Sequence, residues 1–210
     1  MTDAAASAPL GRRPARVKGP SVILFDFFGV LCSEVAPFWL ADNVPAADAG
    51  PLKQGLIHAA DEGAIPQAEM FAELGRLAHK TANQVLEEWT ALAMVDPEMV
   101  KLAAGLRQDA RVALLSNCPA PFLRSLLSLH QLEDLFEQIV ISSEVGLAKP
   151  DPTIFLLTLQ RLQVEASAVL FIDDNARNVA AARYLGLSAI HFESGDQCRR
   201  LLQEACRVDG

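Results

Sequence analysis

The chain has 210 residues, half of them hydrophobic, and a formal net charge of −8, which together exclude an intrinsically disordered protein and argue against a nucleic-acid partner. No apolar run reaches the ~18 residues of a membrane-spanning helix, so no membrane association is expected. Four cysteines without metal-ligand or CxxC spacing predict reduced thiols and a cytoplasmic protein.

The first 95 residues contain two segments without strand patterning. Residues 1–20 carry four basic side chains among Ala, Ser, Pro and Gly, and they predict a flexible N-terminal tail. Residues 33–95 contain amphipathic stretches with helical spacing, such as Gln67 to Ala78 and Asn83 to Met94. Prolines divide this second segment into short helices. It therefore predicts a helical insertion.

Elsewhere, short apolar runs alternate with helical stretches. Strands are predicted at about 21–26, 112–115, 138–142, 168–173 and 187–192, and helices at about 97–108, 119–130, 151–162, 176–185 and 197–206. The Asp-Pro pairs at 96–97 and 151–152 are typical of capped helix starts. Strands that alternate with helices predict βαβ units and an α/β fold with a parallel sheet.

Three strands of this predicted sheet end in polar residues, and ligands of such sheets bind at the strand ends. Asp26 ends the first apolar run beside Gly29. A carboxylate there can attack phosphorus and form an acyl phosphate, or it can cap the following turn. Ser116 and Asn117 end the second run, where they can hold a phosphoryl oxygen or cap the next helix.

Three further residues carry charge at such positions. Lys149 precedes a helix, where it could neutralise a nucleophile and a phosphate together or be a solvated loop lysine. Asp173 and Asp174 repel each other unless a cation lies between them, so they form either a magnesium site or a capping pair. Asn178 lies four residues after Asp174, and on a shared helical face it could orient that carboxylate.

In these segments the chain resembles the haloacid dehalogenase superfamily of hydrolases. Four motifs occur in the family's order, at Phe25–Leu31, Leu115–Asn117, Lys149–Pro152 and Ile172–Asn175. The resemblance covers about residues 21–195 and is especially close from Ser142 to Phe155.

The resemblance implies a domain organisation. Residues 21–32 and 96–210 would form a Rossmann-like three-layer α/β/α sandwich. Residues 33–95 would form a helical cap that closes over the site and selects the substrate. Neither the substrate nor the oligomeric state follows from the sequence, because both depend on how side chains far apart in the chain are arranged.

The resemblance also implies roles for the four motifs. Asp26 would be the nucleophile that forms an aspartyl-phosphate. Ser116 and Asn117 would hold the transferring phosphoryl group of a small phosphorylated substrate. Lys149 would offset the charges of Asp26 and the phosphate. The chemistry would be positioning and electrostatic stabilisation of an in-line displacement.

The implied cofactor is Mg²⁺, bound by Asp26, Asp173, Asp174 and the main-chain oxygen of Phe28. Phe28 departs from the family pattern, because phosphatases usually carry a second aspartate at this position. That aspartate protonates the leaving oxygen and activates water. Such acid–base help is worth roughly 10²- to 10⁴-fold in rate. Residues of the predicted cap that could replace it are Glu34, His58, Asp61 and Glu62.

Three functions are compatible with these residues. A magnesium-dependent phosphatase acting on a small phosphate monoester, including a sugar phosphate, fits the Asp173-Asp174 pair and Lys149 best. A 2-haloacid dehalogenase would share an aromatic residue at the position of Phe28, but it needs arginines in its cap, and only Arg76 lies between residues 32 and 96. A non-catalytic protein could bind a phosphorylated ligand and magnesium without turnover.

Overall fold

The computed structural model describes residues 19–206. The predicted tail therefore lies, except for its last two residues, outside the described range. Five strands form one sheet, and they are β1 Val22–Phe25, β2 Arg111–Ser116, β3 Gln138–Ile141, β4 Val169–Asp173 and β5 Ser188–His191. All neighbouring strands are parallel, in the order β3-β2-β1-β4-β5. The predicted α/β fold with a parallel sheet is confirmed.

Helices follow every strand. Between β1 and β2 lie α1 Ala36–Asn43, α2 Ala46–Leu52, α3 His58–Asp61, α4 Gln67–Ala78, α5 Ala82–Leu92 and α6 Pro97–Leu106, with a π-helical turn at Lys53–Ile57. The later helices are α7 Ala120–Leu129, α8 Ser142–Val145, α9 Pro152–Leu162, α10 Ala176–Tyr184 and α11 Gly195–Cys206. Short 3-10 turns lie at Glu133–Leu135 and Ala166–Ala168.

The central strand β1 contributes to two hydrophobic cores, one on each face of the sheet. Ile23 and Phe25 pack into one core, whereas Val22 and Leu24 pack into the other. This alternation follows from the two-residue period of a strand, and burial on both faces explains the continuous apolar run. The first core also includes aromatic residues of the helical insertion, such as Trp89. The three-layer α/β/α arrangement is therefore confirmed.

Local capping explains where two core helices begin. The Asp96 carboxylate accepts a hydrogen bond from the Glu98 N–H at 2.9 Å, and Asp151 accepts one from Thr153 N–H at 2.7 Å. A proline follows each aspartate, and its fixed φ suits the first helical position. Both predicted Asp-Pro starts are confirmed.

The helical insertion is joined to the sheet by two chain segments that run side by side. The Ser33 N–H donates to the Met94 carbonyl at 2.9 Å, and the Asp96 N–H donates to the Leu31 carbonyl at 2.9 Å. These two segments place the helices α1 to α5 next to the carboxyl end of β1. None of the helices within residues 19–206 combines the length and apolar character required to cross a membrane.

Candidate active site

Lys149 lies at the centre of a buried ion-pair cluster at the carboxyl edge of the sheet. Its Nζ is 2.8 Å from Asp26 Oδ2 and 2.7 Å from Asp173 Oδ2, and it donates a third bond to the Leu115 carbonyl at 2.9 Å. Only 3% of Lys149 is exposed. The alternative of a solvated loop lysine is therefore wrong, because this ammonium group is desolvated and held by three oxygens.

The three charges shift one another's pKa. Burial by itself would raise the pKa of Asp173, but the charge and hydrogen bonds of Lys149 outweigh it and lower the pKa. Burial would lower the pKa of Lys149, but the two carboxylates raise it instead. Burial raises the pKa of Asp26 well above its ordinary value, since Lys149 offsets this only in part and Asp173 adds repulsion. Ionised Asp26 therefore needs a further positive charge nearby.

A third carboxylate completes a set of oxygen ligands. One carboxylate oxygen from each of Asp26, Asp173 and Asp174 lies within 4.8 Å of the other two. Burial and the Asp173 charge raise the pKa of Asp174. A hard divalent cation prefers such carboxylate oxygens, and it would relieve the repulsion between them. The chemistry of this donor set therefore fits Mg²⁺.

Gly29 makes the close approach of these carboxylates possible. Its φ is +81°, and a Cβ atom at this position would overlap the Asp174 carboxylate. Gly29 lies in the turn that follows Asp26, and Asp26 Oδ1 accepts a hydrogen bond from the Phe27 N–H at 2.7 Å. Glycine is needed here both for the left-handed backbone and for space.

Asn178 does not orient Asp174, and that expectation is wrong. Its Nδ2 lies 3.0 and 3.1 Å from the two carboxylate oxygens of Asp173. The reason is that Asn175 caps α10, so Asp174 precedes the helix and the i,i+4 relation does not apply. The Asp174 carbonyl instead lies 2.8 Å from His191 Nε2 at the end of the neighbouring strand β5. Sequence spacing could not reveal this contact, because it crosses between strands.

Ser116 and Asn117 take different positions at the end of β2. Asn117 exchanges two hydrogen bonds with the Lys149 backbone, at 2.8 and 2.9 Å, and so fixes the loop that carries the lysine. The Ser116 Oγ is fully buried and has no hydrogen-bond partner among residues 19–206. Helix α7 begins after Pro119, and the Ala120 N–H of its first turn donates to the Ser143 hydroxyl at 2.8 Å, not to Ser116 or Asn117. The capping alternative is therefore wrong for both residues.

The cluster opens into a cavity of about 560 Å³ between the sheet edge and the helical insertion. Its lining includes polar residues that the sequence analysis did not single out, namely Lys53, Gln54, Cys118, Asn175 and Arg177. Part of the wall is aromatic: Phe28 stacks on Phe122 with 6.1 Å between centroids, and Trp89 lies beside them. A single cavity thus joins a charged face to an apolar one.

The four cap-side acid–base candidates are not equivalent. Glu34, His58 and Asp61 line the cavity, whereas Glu62 lies outside the lining formed by the described residues and contacts His58 at 3.4 Å. Burial raises the pKa of Glu34. Burial also raises the pKa of Asp61, to about 8.

The fold and this cluster define an α/β enzyme whose site lies at the carboxyl edge of a parallel sheet, where such folds bind their ligands. Residues 20–186 match the haloacid dehalogenase-like hydrolase family, so the chain belongs to this family. The family that the sequence motifs indicate is thereby confirmed.

Several relatives with assigned names are phosphatases, at modest identity. The chain is 28% identical over 148 residues to the sesquiterpene phosphatase astK of Aspergillus oryzae, a match that covers 68% of this chain and 76% of that protein. It is 27% identical over 197 residues to a D-ribitol-5-phosphate phosphatase of Bacteroides thetaiotaomicron, covering 86% of this chain and 95% of that protein.

A solved structure shows the same fold. A HAD family enzyme from Bacteroides thetaiotaomicron, crystallised with magnesium and inorganic phosphate, superposes with a TM-score of 0.74. The match covers 87% of this chain and 99% of that one at 24% identity.

Proposed function

We propose that the protein is a magnesium-dependent phosphatase that transfers the phosphoryl group of a small phosphate monoester to Asp26 and then to water. The observation that carries this proposal is the position of Asp26. It lines a cavity, is paired with a buried lysine and has two further carboxylates within reach. The phosphatase names of its relatives support the substrate class.

Asp26, Asp174 and the main-chain oxygen of Phe28 would hold Mg²⁺, with Asp173 as the remaining carboxylate of the set. Asp173 already binds Lys149 and Asn178, so Asp174 is the freer of the two neighbours. When bound, the ion neutralises charge on the phosphoryl oxygens and orients the group for attack. Its charge would also keep Asp26 ionised as a nucleophile.

The chain's own residues supply the remaining chemistry. An Asp26 oxygen forms a bond to phosphorus while the bond from phosphorus to the leaving oxygen breaks. Lys149 stays charged beside the transferring group, and the unpartnered Ser116 hydroxyl would donate to one of its oxygens. Water then attacks the aspartyl-phosphate, which releases inorganic phosphate and restores the Asp26 carboxylate.

The helical insertion would act as the cap of this site. It contributes Glu34, Ile57, Asp61 and Trp89 to the cavity wall, so substrate contacts beyond the phosphate would come from this segment. A cavity of about 560 Å³ suits a small molecule. A cap that closes would exclude water during phosphoryl transfer.

A 2-haloacid dehalogenase remains the second candidate because of the aromatic Phe28. The arginine of the insertion argues against it: Arg76 is paired with Glu73 at 2.7 Å and lies outside the cavity lining formed by the described residues. The Asp174 carboxylate would also repel a carboxylate substrate. The cluster is thus better suited to a cation and a phosphate.

The test is hydrolysis of p-nitrophenyl phosphate, whose good leaving group needs little acid catalysis and so does not depend on Phe28. We expect turnover with Mg²⁺, loss of turnover after EDTA treatment, and recovery when Mg²⁺ is restored. Equal rates before and after EDTA would contradict the metal requirement. Halide release from 2-haloacids without phosphate release would replace the proposal with the dehalogenase.

A Gly29→Ala substitution tests the proposed metal ligands. The new Cβ would displace the Asp174 carboxylate, and the positive φ would cost about 1–2 kcal/mol. We expect at least a tenfold increase in the Mg²⁺ concentration needed for half-maximal p-nitrophenyl phosphate turnover. The matched control is Gly105→Ala at an exposed position of α6, where nothing lies within 4 Å of the added methyl group. An unchanged Mg²⁺ requirement in Gly29→Ala would remove Asp174 from the ligand set.

A further inference from the structure

We propose that Asp61 is the general acid and base of this site, and that it replaces the carboxylate missing at Phe28. The proposal rests on the proposed phosphatase function and extends it. In the first step the Asp61 carboxyl would give its proton to the leaving oxygen as the bond to phosphorus breaks. In the second step the Asp61 carboxylate would take a proton from the water that attacks the aspartyl-phosphate.

The core side of the cavity offers no free acid among the described residues. The Phe28 side chain packs edge-on against Phe27 and stacks on Phe122, so it forms part of the aromatic wall. The Asp26, Lys149 and Asp174 side chains belong to the proposed nucleophile and metal site. The proton must therefore come from the opposite wall, which the helical insertion forms.

Asp61 is held in the cavity wall by direct contacts between the insertion and the core. Its main-chain carbonyl accepts a hydrogen bond from the Ser142 hydroxyl, which is fully buried at the start of α8 and also accepts the Cys118 N–H at 2.9 Å. Two residues later Gly63 lies so close to Ser143 that a Cβ would overlap its carbonyl. These contacts fix the end of α3, and a fixed backbone is what a proton donor needs for precise positioning.

The environment of Asp61 favours its protonated form. The pKa of Asp61 is raised to about 8: desolvation is the largest cause, the charges of Glu34 and Glu62 add to it, and those of Lys53 and Lys149 oppose it. Asp61 as a residue has intermediate exposure, and it lines the cavity. The titratable groups around it are Glu34, Lys53, His58, Glu62, Cys118 and Lys149. A raised pKa suits a carboxyl that gives a proton to a group in the cavity.

The other cap-side candidates fit this role less well. Glu62 lies outside the lining formed by the described residues, and His58 contacts it with 47% of the imidazole side chain exposed. Glu34 lines the cavity, and burial raises its pKa. No described contact anchors Glu34 to the core as the Ser142 bond anchors Asp61, so Glu34 is the matched control.

The experiment compares Asp61→Asn and Glu34→Gln on two substrates, p-nitrophenyl phosphate and glycerol 2-phosphate, with Mg²⁺ present. Both changes keep side-chain size, and thermal melting checks that the fold is retained. For Asp61→Asn we expect kcat/KM on glycerol 2-phosphate to fall by about 10²- to 10⁴-fold, because the alkoxide cannot leave unprotonated. On p-nitrophenyl phosphate the loss of kcat/KM should be less than about tenfold, since p-nitrophenolate leaves without a proton.

Two further readouts separate catalysis from a structural role. Wild-type kcat/KM on glycerol 2-phosphate should fall above pH about 8 as Asp61 ionises, and this descending limb should disappear in Asp61→Asn. With p-nitrophenyl phosphate, Asp61→Asn should release a rapid burst of p-nitrophenol equal to the enzyme concentration, because the aspartyl-phosphate forms but hydrolyses slowly. Equal losses on both substrates without a burst would overturn the proposal.

The remaining outcomes are also decisive. A selective loss on glycerol 2-phosphate in Glu34→Gln, with Asp61→Asn unaffected, would transfer the role to Glu34. If wild type turns over p-nitrophenyl phosphate with Mg²⁺ but Asp61→Asn matches it on both substrates, only the Asp61 assignment fails. If wild type turns over neither substrate, the phosphatase proposal itself fails.

Discussion

Replacing Asp26 by asparagine is expected to abolish phosphate release while the fold is retained. Removing a catalytic nucleophile costs on the order of 10⁴- to 10⁶-fold in kcat. An amide is close in size to the carboxylate, and Lys149 keeps its bond to Asp173 at 2.7 Å. The measurement is p-nitrophenyl phosphate turnover at saturating Mg²⁺, with thermal melting as the check on folding.

Asp26→Asn should leave the stability of the metal-free protein unchanged or raise it. A carboxyl whose pKa is raised on folding contributes stability below its ordinary pKa, and that stability is lost as pH rises through the raised value. Burial raises the pKa of Asp26, so near neutral pH the wild-type protein bears a cost that asparagine removes. The difference in stability between wild type and Asp26→Asn should vanish towards pH 4. Exposed Asp109→Asn is the control, and turnover by Asp26→Asn near the wild-type rate would refute the nucleophile assignment.

The largest loss of stability is expected for Lys149→Met. The change leaves the buried carboxylates of Asp26 and Asp173 close together without their common cation. Breaking a buried ion pair in this way costs about 3–5 kcal/mol. For a protein of this size that is a fall in Tm of roughly 6–20 °C, measured on metal-free protein by circular dichroism at pH 7.

The pH dependence of this loss follows from the carboxylates. Without Lys149, burial and the mutual repulsion of the two carboxylates would leave the pKa of Asp26 and of Asp173 raised, so both groups take up protons as pH falls from 7 and the cost of the unpaired charges declines. The gap in Tm between wild type and Lys149→Met should therefore narrow between pH 7 and pH 4. Lys101→Met at an exposed position of α6 is the control, and its free energy of unfolding should lie within about 0.5 kcal/mol of the wild-type value. A constant gap across this range would show that lost packing, rather than lost charge, destabilises the variant.

The strands and core helices were predictable because their signals are local. Val22–Phe25 is a continuous apolar run, which is typical of a strand buried on both faces, and the structure places it at the centre of the sheet. Asp96 and Asp151 cap helices through hydrogen bonds to residues two or three positions away. Such interactions depend only on neighbouring residues, and the element bounds therefore agree within about two residues.

The sequence also predicts that the motif residues lie close together in the fold. Asp26, Ser116 and Asp173 each lie where a parallel strand ends, and the ends of parallel strands share one edge of the sheet. Once the strands were assigned, these side chains had to be neighbours. Their chemical roles remain proposals that the experiments above test.

The pairing of those side chains was decided only by tertiary structure. Asn178 binds Asp173 rather than Asp174, because the start of α10 depends on which residue caps the helix. His191 on β5 reaches the Asp174 carbonyl at the end of the neighbouring strand β4, and the Asp61 backbone is held by a bond between α3 and α8. The sequence by itself determined the α/β class, the strand ends and the family. Packing between residues distant in the chain decided which polar atoms meet, because those contacts require a specific backbone geometry that no local pattern encodes.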